Sequence, residues 1–280
     1  MLKQYDDAAA AFDKALTLKS DLAEAWLGRG NVFFELKQYD DAFVAYDKAL
    51  ALAPSPDFAQ AWLGRGKVFF DLKRYDDAFA AYGKALALKP DLAEAWLGRG
   101  NVFFQLKRYD DALAAFDKAL ELKPDLAEAW VVRGTVRAEL RRYDEGLADC
   151  DKALELKPDL AEAWLGRGNV LFSSGRNDEA LAAYGRSIAL KPDLEEALSN
   201  KIFALDFSPD ASLTEQQDAR HDWWRRYGES LARSAANPMT IVVTQIDAWL
   251  SAMYPLTFDS IRLQEHSARS FATMIKNASK

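Results

Sequence analysis

Residue types that usually carry catalytic or metal chemistry are rare in this sequence. Its only histidines are His221 and His266, and its only cysteine is Cys150. Zinc-type sites need three or four histidine, cysteine or carboxylate ligands, so no metal site is indicated. No serine, histidine and acid cluster suggests a nucleophilic triad, and the acids on predicted helix faces are interpreted as solvated charge. We therefore expect no catalytic residues, no metal and no cofactor.

Two short glycine-containing segments could be mistaken for a phosphate-binding loop. They are Gly28-Arg-Gly30 and Gly64-Arg-Gly-Lys67. A phosphate loop needs a longer glycine spacing and lies between a strand and a helix. Neither segment meets those conditions, so phosphate binding is not indicated.

Hydrogen-bonding side chains at regular intervals indicate a different chemistry, the recognition of a peptide. Asparagine recurs at Asn31, Asn101 and Asn169, and Lys67 occupies the corresponding place between the first two. An asparagine amide can donate and accept, so it can bond the backbone of an extended peptide. Leucine lies four residues before each of these polar residues and phenylalanine three residues after. Exposed rows of this kind would receive the peptide's side chains.

These residues belong to a repeated unit, which at 93–126 reads AEAWLGRGNVFFQLKRYDDALAAFDKALELKPDL. Its tryptophan recurs at spacings of 36, 34, 34 and 34, and a fixed period of this length indicates a repeat architecture. Apolar residues at i, i+4 and i+7 predict the first helix of each repeat. Acidic residues in its first turn mark the start of a second helix, and a proline marks its end. Full repeats are predicted at 23–58, 59–92, 93–126, 127–160 and 161–194.

The pattern W-x-x-x-G, with A, an aromatic, A and P at fixed later offsets, is similar to that of the tetratricopeptide repeat (TPR) family. This resemblance implies an all-α fold, a TPR α-solenoid in which helix-turn-helix repeats form a right-handed superhelix. It also implies a non-catalytic scaffold for a protein or peptide partner, bound in a concave groove lined by the first helices. The groove residues predicted on this basis are Leu27, Asn31, Phe34, Leu63, Lys67, Phe70, Leu97, Asn101, Phe104, Leu165, Asn169 and Phe172.

An alternative interpretation is that the phenylalanines pack between adjacent repeats and that asparagine merely tolerates solvent. Two TPR site types are not indicated. A clamp for a C-terminal carboxylate needs several groove bases, and only Lys67 stands on this row. The asparagine ladder of O-linked N-acetylglucosamine transferases would need asparagine where this chain has Gly28, Gly64, Gly98, Val132 and Gly166.

Arginine and glycine recur together on the packing side of the first helices. The glycines, such as Gly30, are expected where the two helices of a repeat approach most closely. The arginine one residue earlier is expected to cover the helix seam with its stem and reach an acid. In the fourth repeat, Gly146 replaces an alanine and Cys150 an aromatic, so we expect the loosest packing there. The arginines are Arg29, Arg65, Arg99, Arg133 and Arg167.

The two ends depart from the repeats. Residues 1–22 are predicted to hold an orphan second helix, left by a misplaced start, by lost upstream repeats or as a tolerated ragged end. A capping helix and a linker helix are predicted within 195–234. Residues 199–234 resemble the linker before the catalytic domain of bacterial SPINDLY / O-GlcNAc-transferase-like proteins, through Phe207-Ser-Pro-Asp210 and Trp223-Trp224-Arg225. This resemblance implies a protein glycosyltransferase whose catalytic domain is expected to be missing here, and an alternative role as its remnant or accessory subunit.

Residues 235–280 carry no repeat feature. If the codons of residues 250–259 are translated in a reading frame shifted by two bases, they can encode the string VGYVSADFR. This string is similar to the opening motif of that transferase domain. We therefore predict a frame-shifted, loosely ordered tail, with a diverged C-terminal cap as the alternative.

Composition indicates an ordinary soluble exterior. The net charge of −7 comes from 43 acids and 36 bases mixed at short range, which argues against nucleic-acid and anionic-membrane partners. The single cysteine favours a reducing compartment, and the first residues show no signal peptide. The apolar run from Ile241 to Tyr254 is too short to span a bilayer. The predicted location is cytoplasmic, and the oligomeric state is not indicated.

Overall fold

The computed structural model describes residues 2–52 and 58–228. This part of the chain contains thirteen α-helices and one π-helical turn, and no β-strand, which confirms the predicted all-α solenoid of helix pairs. The chain divides after Ala197 into two units, and each is described by itself. The α-helices are α1 Leu2–Leu18, α2 Ala23–Glu35, α3 Tyr39–Leu52, α4 Ala59–Asp71, α5 Tyr75–Leu88, α6 Ala93–Gln105, α7 Tyr109–Leu122, α8 Ala127–Glu139, α9 Tyr143–Leu156, α10 Ala161–Ser173, α11 Asn177–Leu190, α12 Glu195–Asp206 and α13 Leu213–Trp223.

The turn inside each helix pair closes with the same two backbone hydrogen bonds. In the α2–α3 pair, the N–H of Lys37 donates to the Phe34 carbonyl at 2.9 Å, and that of Gln38 to the Phe33 carbonyl at 2.8 Å. This Schellman closure places its middle residue in the left-handed region, where φ is 57° at Lys37. The fifth pair uses glycine at this place, and the first four use a base. A side chain in this conformation costs about 1 kcal/mol relative to glycine, so those four turns carry strain.

Two glycines on successive first helices make room for the buried ring of Tyr46, and likewise for that of Tyr82. A Cβ added to Gly30 would lie 2.6 Å from the Tyr46 ring, and a Cβ added to Gly64 would lie 2.4 Å from it. Since no real Cβ approaches a ring so closely, only glycine allows the ring to lie between α2 and α4. Tyr46 is 1% exposed as a result. The expectation for Gly30 concerned the distance between the two helices, whereas the atoms that a Cβ would meet there belong to the Tyr46 ring. The glycines of the two Gly-Arg-Gly segments make room for aromatic rings.

The arginine row bonds acids across the repeat boundaries, as the sequence predicts, with one exception. Arg29 Nε lies 3.0 Å from an oxygen of Asp13, on the second helix before it. The equivalent arginines of three later repeats make the same contact with the second helix before them. The pairs are Arg65 with Asp47, Arg133 with Asp117, and Arg167 with Asp151. Arg99 is the exception because the corresponding position is Gly83.

The guanidinium of Arg99 instead lies over the ring of Phe79, 4.4 Å from its centroid. Burial lowers the pKa of Arg99. No carboxylate among the described residues bonds this arginine, so one repeat boundary lacks the ion pair that the other four have.

The fourth repeat packs differently from its neighbours, because Gly146 and Cys150 replace the alanine and the aromatic residue found in the other repeats. Gly134 and Gly146 face each other so closely that a Cβ on either would lie 2.8 Å from the other's carbonyl oxygen. Asp149, where other repeats have alanine, is 2% exposed and bonds both Arg133 and Arg137. The expectation of loose packing considered only the missing side-chain volume. The structure shows two glycines whose backbones face each other and a buried ion network there.

The second unit contains most of α12, followed by α13. The Ser212 hydroxyl accepts from the N–H of Glu215 at 3.2 Å, and the Glu215 carboxylate accepts from the N–H of Ser212 at 2.9 Å. This capping box starts α13. Gln216 Nε2 donates to the Leu205 carbonyl at 3.2 Å, and Arg220 pairs with Asp206, which joins α13 to the end of α12. The predicted tail 235–280 lies outside the described residues.

Candidate functional site

The predicted polar and leucine residues of the first helices differ in exposure. Asn31 and Lys67 are exposed, while Asn101 and Asn169 are half-buried. We call these four residues the polar row. The leucines were expected to be exposed, and this is wrong. Leu63 and Leu165 are buried at 4% and 6% exposure, and Leu27 and Leu97 are half-buried.

Leu27, Leu63 and Leu97 are covered because their helices α2, α4 and α6 also contact the first helix of the next repeat. Leu27 packs against a core cluster that contains Ala61 and Val68 of α4. Leu97 packs in the same way against Ala129 of α8. A helical-face argument from one helix does not include this neighbour. The leucine row is therefore part of the core between repeats.

The phenylalanine row is half-buried, and three of its rings contact a tyrosine of their own repeat. Phe34 lies 6.3 Å from Tyr39 between ring centroids, and Phe70 lies 5.7 Å from Tyr75. Phe104 lies 6.1 Å from Tyr109. Phe172, in the fifth repeat, is half-buried as well. The expectation of an exposed phenylalanine row is wrong, because Phe34, Phe70 and Phe104 pack against core clusters and a tyrosine covers one side of each of these rings. Part of each ring remains accessible.

Two asparagines of the polar row accept hydrogen bonds from buried tyrosines behind them. The Tyr46 hydroxyl donates to Oδ1 of Asn31 at 2.9 Å. The Tyr184 hydroxyl donates to Oδ1 of Asn169 at 3.0 Å. The corresponding residue behind Asn101 is Phe116, which has no hydroxyl. The sequence analysis missed this pairing, although a tyrosine fifteen residues after the asparagine was a visible signal.

A second feature that the sequence analysis missed is a ladder of tyrosine hydroxyls. The tyrosine that begins a second helix donates to the residue that ends the next first helix. The Tyr39 hydroxyl lies 3.1 Å from Oδ2 of Asp71, and that of Tyr75 lies 3.4 Å from Oε1 of Gln105. Burial, then the hydrogen bond with Asp71, raises the pKa of Tyr39. This ladder leaves carboxylate and amide oxygens along one margin of the first helices.

Ion pairs follow the opposite margin, at the start of the first helices. Glu94 bonds Lys123 at 2.8 Å, and Glu162 bonds Lys191 at 2.9 Å. The pair between them joins Glu128 and Lys157 at 2.7 Å. Partial burial opposes ionisation of these carboxyls, but the hydrogen bonds from lysine and backbone outweigh it and lower their pKa values. The lysines thereby neutralise most of the acidity of this margin.

One open cavity of about 490 Å³ lies beside the turns of the fourth and fifth repeats. Two of the arginines that line it are already bonded to acids at i+3, Arg142 to Glu145 and Arg176 to Glu179. None of the predicted groove residues lines this cavity.

Within residues 2–52 and 58–228, no group of three histidine, cysteine, aspartate or glutamate side chains is placed to hold a metal ion. Over the same residues, no helix combines the length and the apolar character needed to cross a membrane.

Comparison with known proteins identifies the family of this chain and solved structures with a similar fold. Family descriptions match as "Tetratricopeptide repeat" at 23–56 and 93–126, as "TPR repeat" at 66–107, and again as "Tetratricopeptide repeat" at 131–195. No curated protein matches this chain.

Solved structures similar to this chain include Cut9-Hcn1, an APC/C hetero-tetramer, at 22% identity and TM-score 0.66, over 73% of this chain and 40% of that one. TTC0263, a thermophilic TPR protein in Thermus thermophilus, is 24% identical with TM-score 0.58, over 65% of this chain and 98% of that one. YrrB, a TPR protein with an unusual peptide-binding site, is 28% identical with TM-score 0.48, over 69% and 99%. The repeat period, the glycine and tyrosine packing and the matched family descriptions together show that this chain belongs to the tetratricopeptide repeat family.

Proposed function

We propose that the chain is a non-catalytic scaffold that binds an extended peptide along the first helices, through the polar row. The observation that carries this proposal is the contrast in exposure among the predicted residues. The leucines are taken up by the core, whereas Asn31 and Lys67 are exposed and Asn101 and Asn169 are partly exposed. Hydrogen-bonding side chains that recur at one position in four of the five repeats suit a ligand whose own hydrogen-bonding groups recur regularly, as in an extended backbone.

The half-buried phenylalanines provide the apolar part of the proposed surface. Each lies three residues after its polar neighbour and so shares the same face of the first helix. Because one side of Phe34, Phe70 and Phe104 is covered by tyrosine, the rings are held in place rather than free. A fixed, partly exposed ring contributes contact area at a low cost in side-chain entropy.

The test uses peptides selected from a random twelve-residue library displayed on phage, with the immobilised wild-type protein as bait. The selected peptides are then synthesised for calorimetric titration. Lys67→Ala and Asn101→Ala are the informative changes, because neither side chain accepts a hydrogen bond from a buried tyrosine. We expect the double variant to raise the dissociation constant about tenfold to a hundredfold with an unchanged melting temperature.

Asn177→Ala is the matched control, since Asn177 begins α11 and is not on the polar row. It is expected to leave the dissociation constant unchanged. Wild-type affinity in the double variant would contradict the proposed surface. A selection that yields no binding peptide would contradict peptide binding itself.

As a second candidate we propose an accessory or remnant subunit of a SPINDLY / O-GlcNAc-transferase-like protein glycosyltransferase. Its support is the sequence of residues 199–234 together with the shifted-frame reading of residues 250–259. The nucleotide sequence of the gene tests it directly. A shifted frame after Ser234 that continues into a transferase domain would support this role, and early stop codons in that frame would contradict it.

A further inference from the structure

We propose that Tyr46 is a positioning residue that holds the amide of Asn31 in one orientation, with nitrogen toward the peptide, and that Tyr184 fixes the amide oxygen of Asn169 in the same way. Asn31 then presents N–H donors, and it recognises the carbonyl oxygens of an extended backbone. This inference rests on the proposed function and specifies which atoms of the peptide are bound.

The position of each tyrosine hydroxyl is fixed by the core. Tyr46 and Tyr184 are 1% and 2% exposed. A Cβ on Gly30 would lie 2.6 Å from the first ring, and a Cβ on Gly168 would lie 2.5 Å from the second. A ring enclosed this closely cannot move aside, so its hydroxyl is a fixed partner for the asparagine in front of it.

The chemistry of the two groups determines the direction of the hydrogen bond. A phenol O–H is a better donor than an amide N–H, and an amide oxygen is a better acceptor than a phenol oxygen. Burial, and secondly the charge of Glu35, raises the pKa of Tyr46, so its hydroxyl keeps its proton. The favoured bond therefore runs from Oη of Tyr46 to Oδ1 of Asn31, the pairing found at 2.9 Å.

The consequence is that Asn31 uses its acceptor internally and keeps its donors for a ligand. Its side chain is exposed, and no described residue accepts a hydrogen bond from its Nδ2. Lys67, one repeat further along, is also exposed and has only donors. Donors in successive repeats need acceptors in the ligand, and the acceptors common to every peptide are its backbone carbonyls.

The third repeat provides a natural contrast. Asn101 has Phe116 behind it, so nothing in that place prefers one orientation of its amide. The second repeat provides another contrast, because Tyr82 is as buried as Tyr46 but has Lys67, not asparagine, in front of it. Phe116 therefore supplies the gain-of-function variant for the test, and Tyr82 supplies the control.

The first experiment needs no ligand. Residual dipolar couplings of the side-chain Nδ2–H bonds report the orientation of each amide in the ¹⁵N-labelled protein. We expect one orientation for Asn31, with Nδ2 pointing away from Tyr46, and averaging between two orientations in Tyr46→Phe. Nδ2 facing Tyr46, or no change in Tyr46→Phe, would overturn the positioning role.

The second experiment measures dissociation constants for the phage-selected peptides. Losing one fixed orientation halves the competent population, so Tyr46→Phe should weaken binding about twofold. Phe116→Tyr should tighten binding about twofold by the same argument. Tyr82→Phe removes an equivalent buried hydroxyl and should leave the affinity unchanged.

Asn31→Asp tests the donor claim itself, because aspartate still accepts from Tyr46 but has no N–H. We expect at least about tenfold weaker binding without a loss in melting temperature. Wild-type affinity in Asn31→Asp would overturn carbonyl recognition while leaving peptide binding intact. If no library peptide binds the wild-type protein, the proposed function and carbonyl recognition fail together, and the dipolar couplings still decide the positioning role.

Discussion

Arg133 binds Asp149 through two parallel hydrogen bonds, from Nε at 2.9 Å and from Nη2 at 2.7 Å. Arg137 reaches the same carboxylate at 2.8 Å from the next turn of α8. Asp149 is 2% exposed, so one buried anion holds two guanidinium groups in a place where other repeats have apolar contacts. A buried ion network of this kind depends on every member, because removing one leaves the others desolvated and unpaired.

Asp149→Ala is therefore expected to destabilise the protein strongly, by about 3–5 kcal/mol, although alanine is the residue found there in other repeats. The comparison variant adds Arg133→Met and Arg137→Met to Asp149→Ala, so that no charge of the network stays buried and unpaired. It is expected to recover part of the stability that Asp149→Ala alone loses. Urea unfolding measures both. A mild effect of Asp149→Ala alone would show that the network contributes little.

Gly83 breaks the series of arginine–aspartate pairs, and Gly83→Asp should complete it by giving Arg99 a partner. A Cβ at Gly83 meets nothing within 4 Å, so the new side chain fits without strain. The isosteric control is Gly83→Asn, which carries no charge. We expect Gly83→Asp to exceed Gly83→Asn in stability by about 0.3–1 kcal/mol, and the difference to shrink in roughly 1 M salt. Equal stability of the two variants at low salt would contradict this assignment.

The left-handed turn residues predict opposite effects for two exchanges. Lys73 has φ 58° and Gly175 has φ 81° in corresponding turns. Lys73→Gly should stabilise the protein by about 0.5–1 kcal/mol through relief of strain, and Gly175→Lys should destabilise it by a similar amount. Thermal unfolding measures both, with Lys73→Ala as the control that keeps the strain. A stabilising Gly175→Lys would mean that another contact governs this turn.

The glutamate–lysine pairs predict a dependence of stability on pH. The pKa values of Glu94, Glu128 and Glu162 are lowered from an ordinary value of 4.5, so the unfolded chain binds protons more readily than the folded one. Their contribution is present above about pH 4.5 and is lost as the pH falls through the folded pKa values. Replacing all three by glutamine should flatten the fall in urea midpoint below pH 4.5. Parallel curves for variant and wild type would contradict this origin.

The repeats were predictable because their signals are local. Trp26 and its equivalents fix the period, and the prolines after the second helices fix where those helices end. The exposure of the groove residues was not predictable from one helix. Leu27 is covered by α4, and Phe34 by Tyr39, and both contacts depend on how the neighbouring helices are rotated. The same reason hid the bond between Tyr46 and Asn31, which joins two helices of one repeat.

Nuclear magnetic resonance titration of the ¹⁵N-labelled protein with a phage-selected peptide tests the central claim most directly. The account predicts that the side-chain amide signals of Asn31, Asn101 and Asn169 shift with saturation, while that of Asn177 does not. Saturating shifts confined to Asn177 or to the second helices of the repeats, with the polar row unaffected, would contradict a peptide site on the first helices.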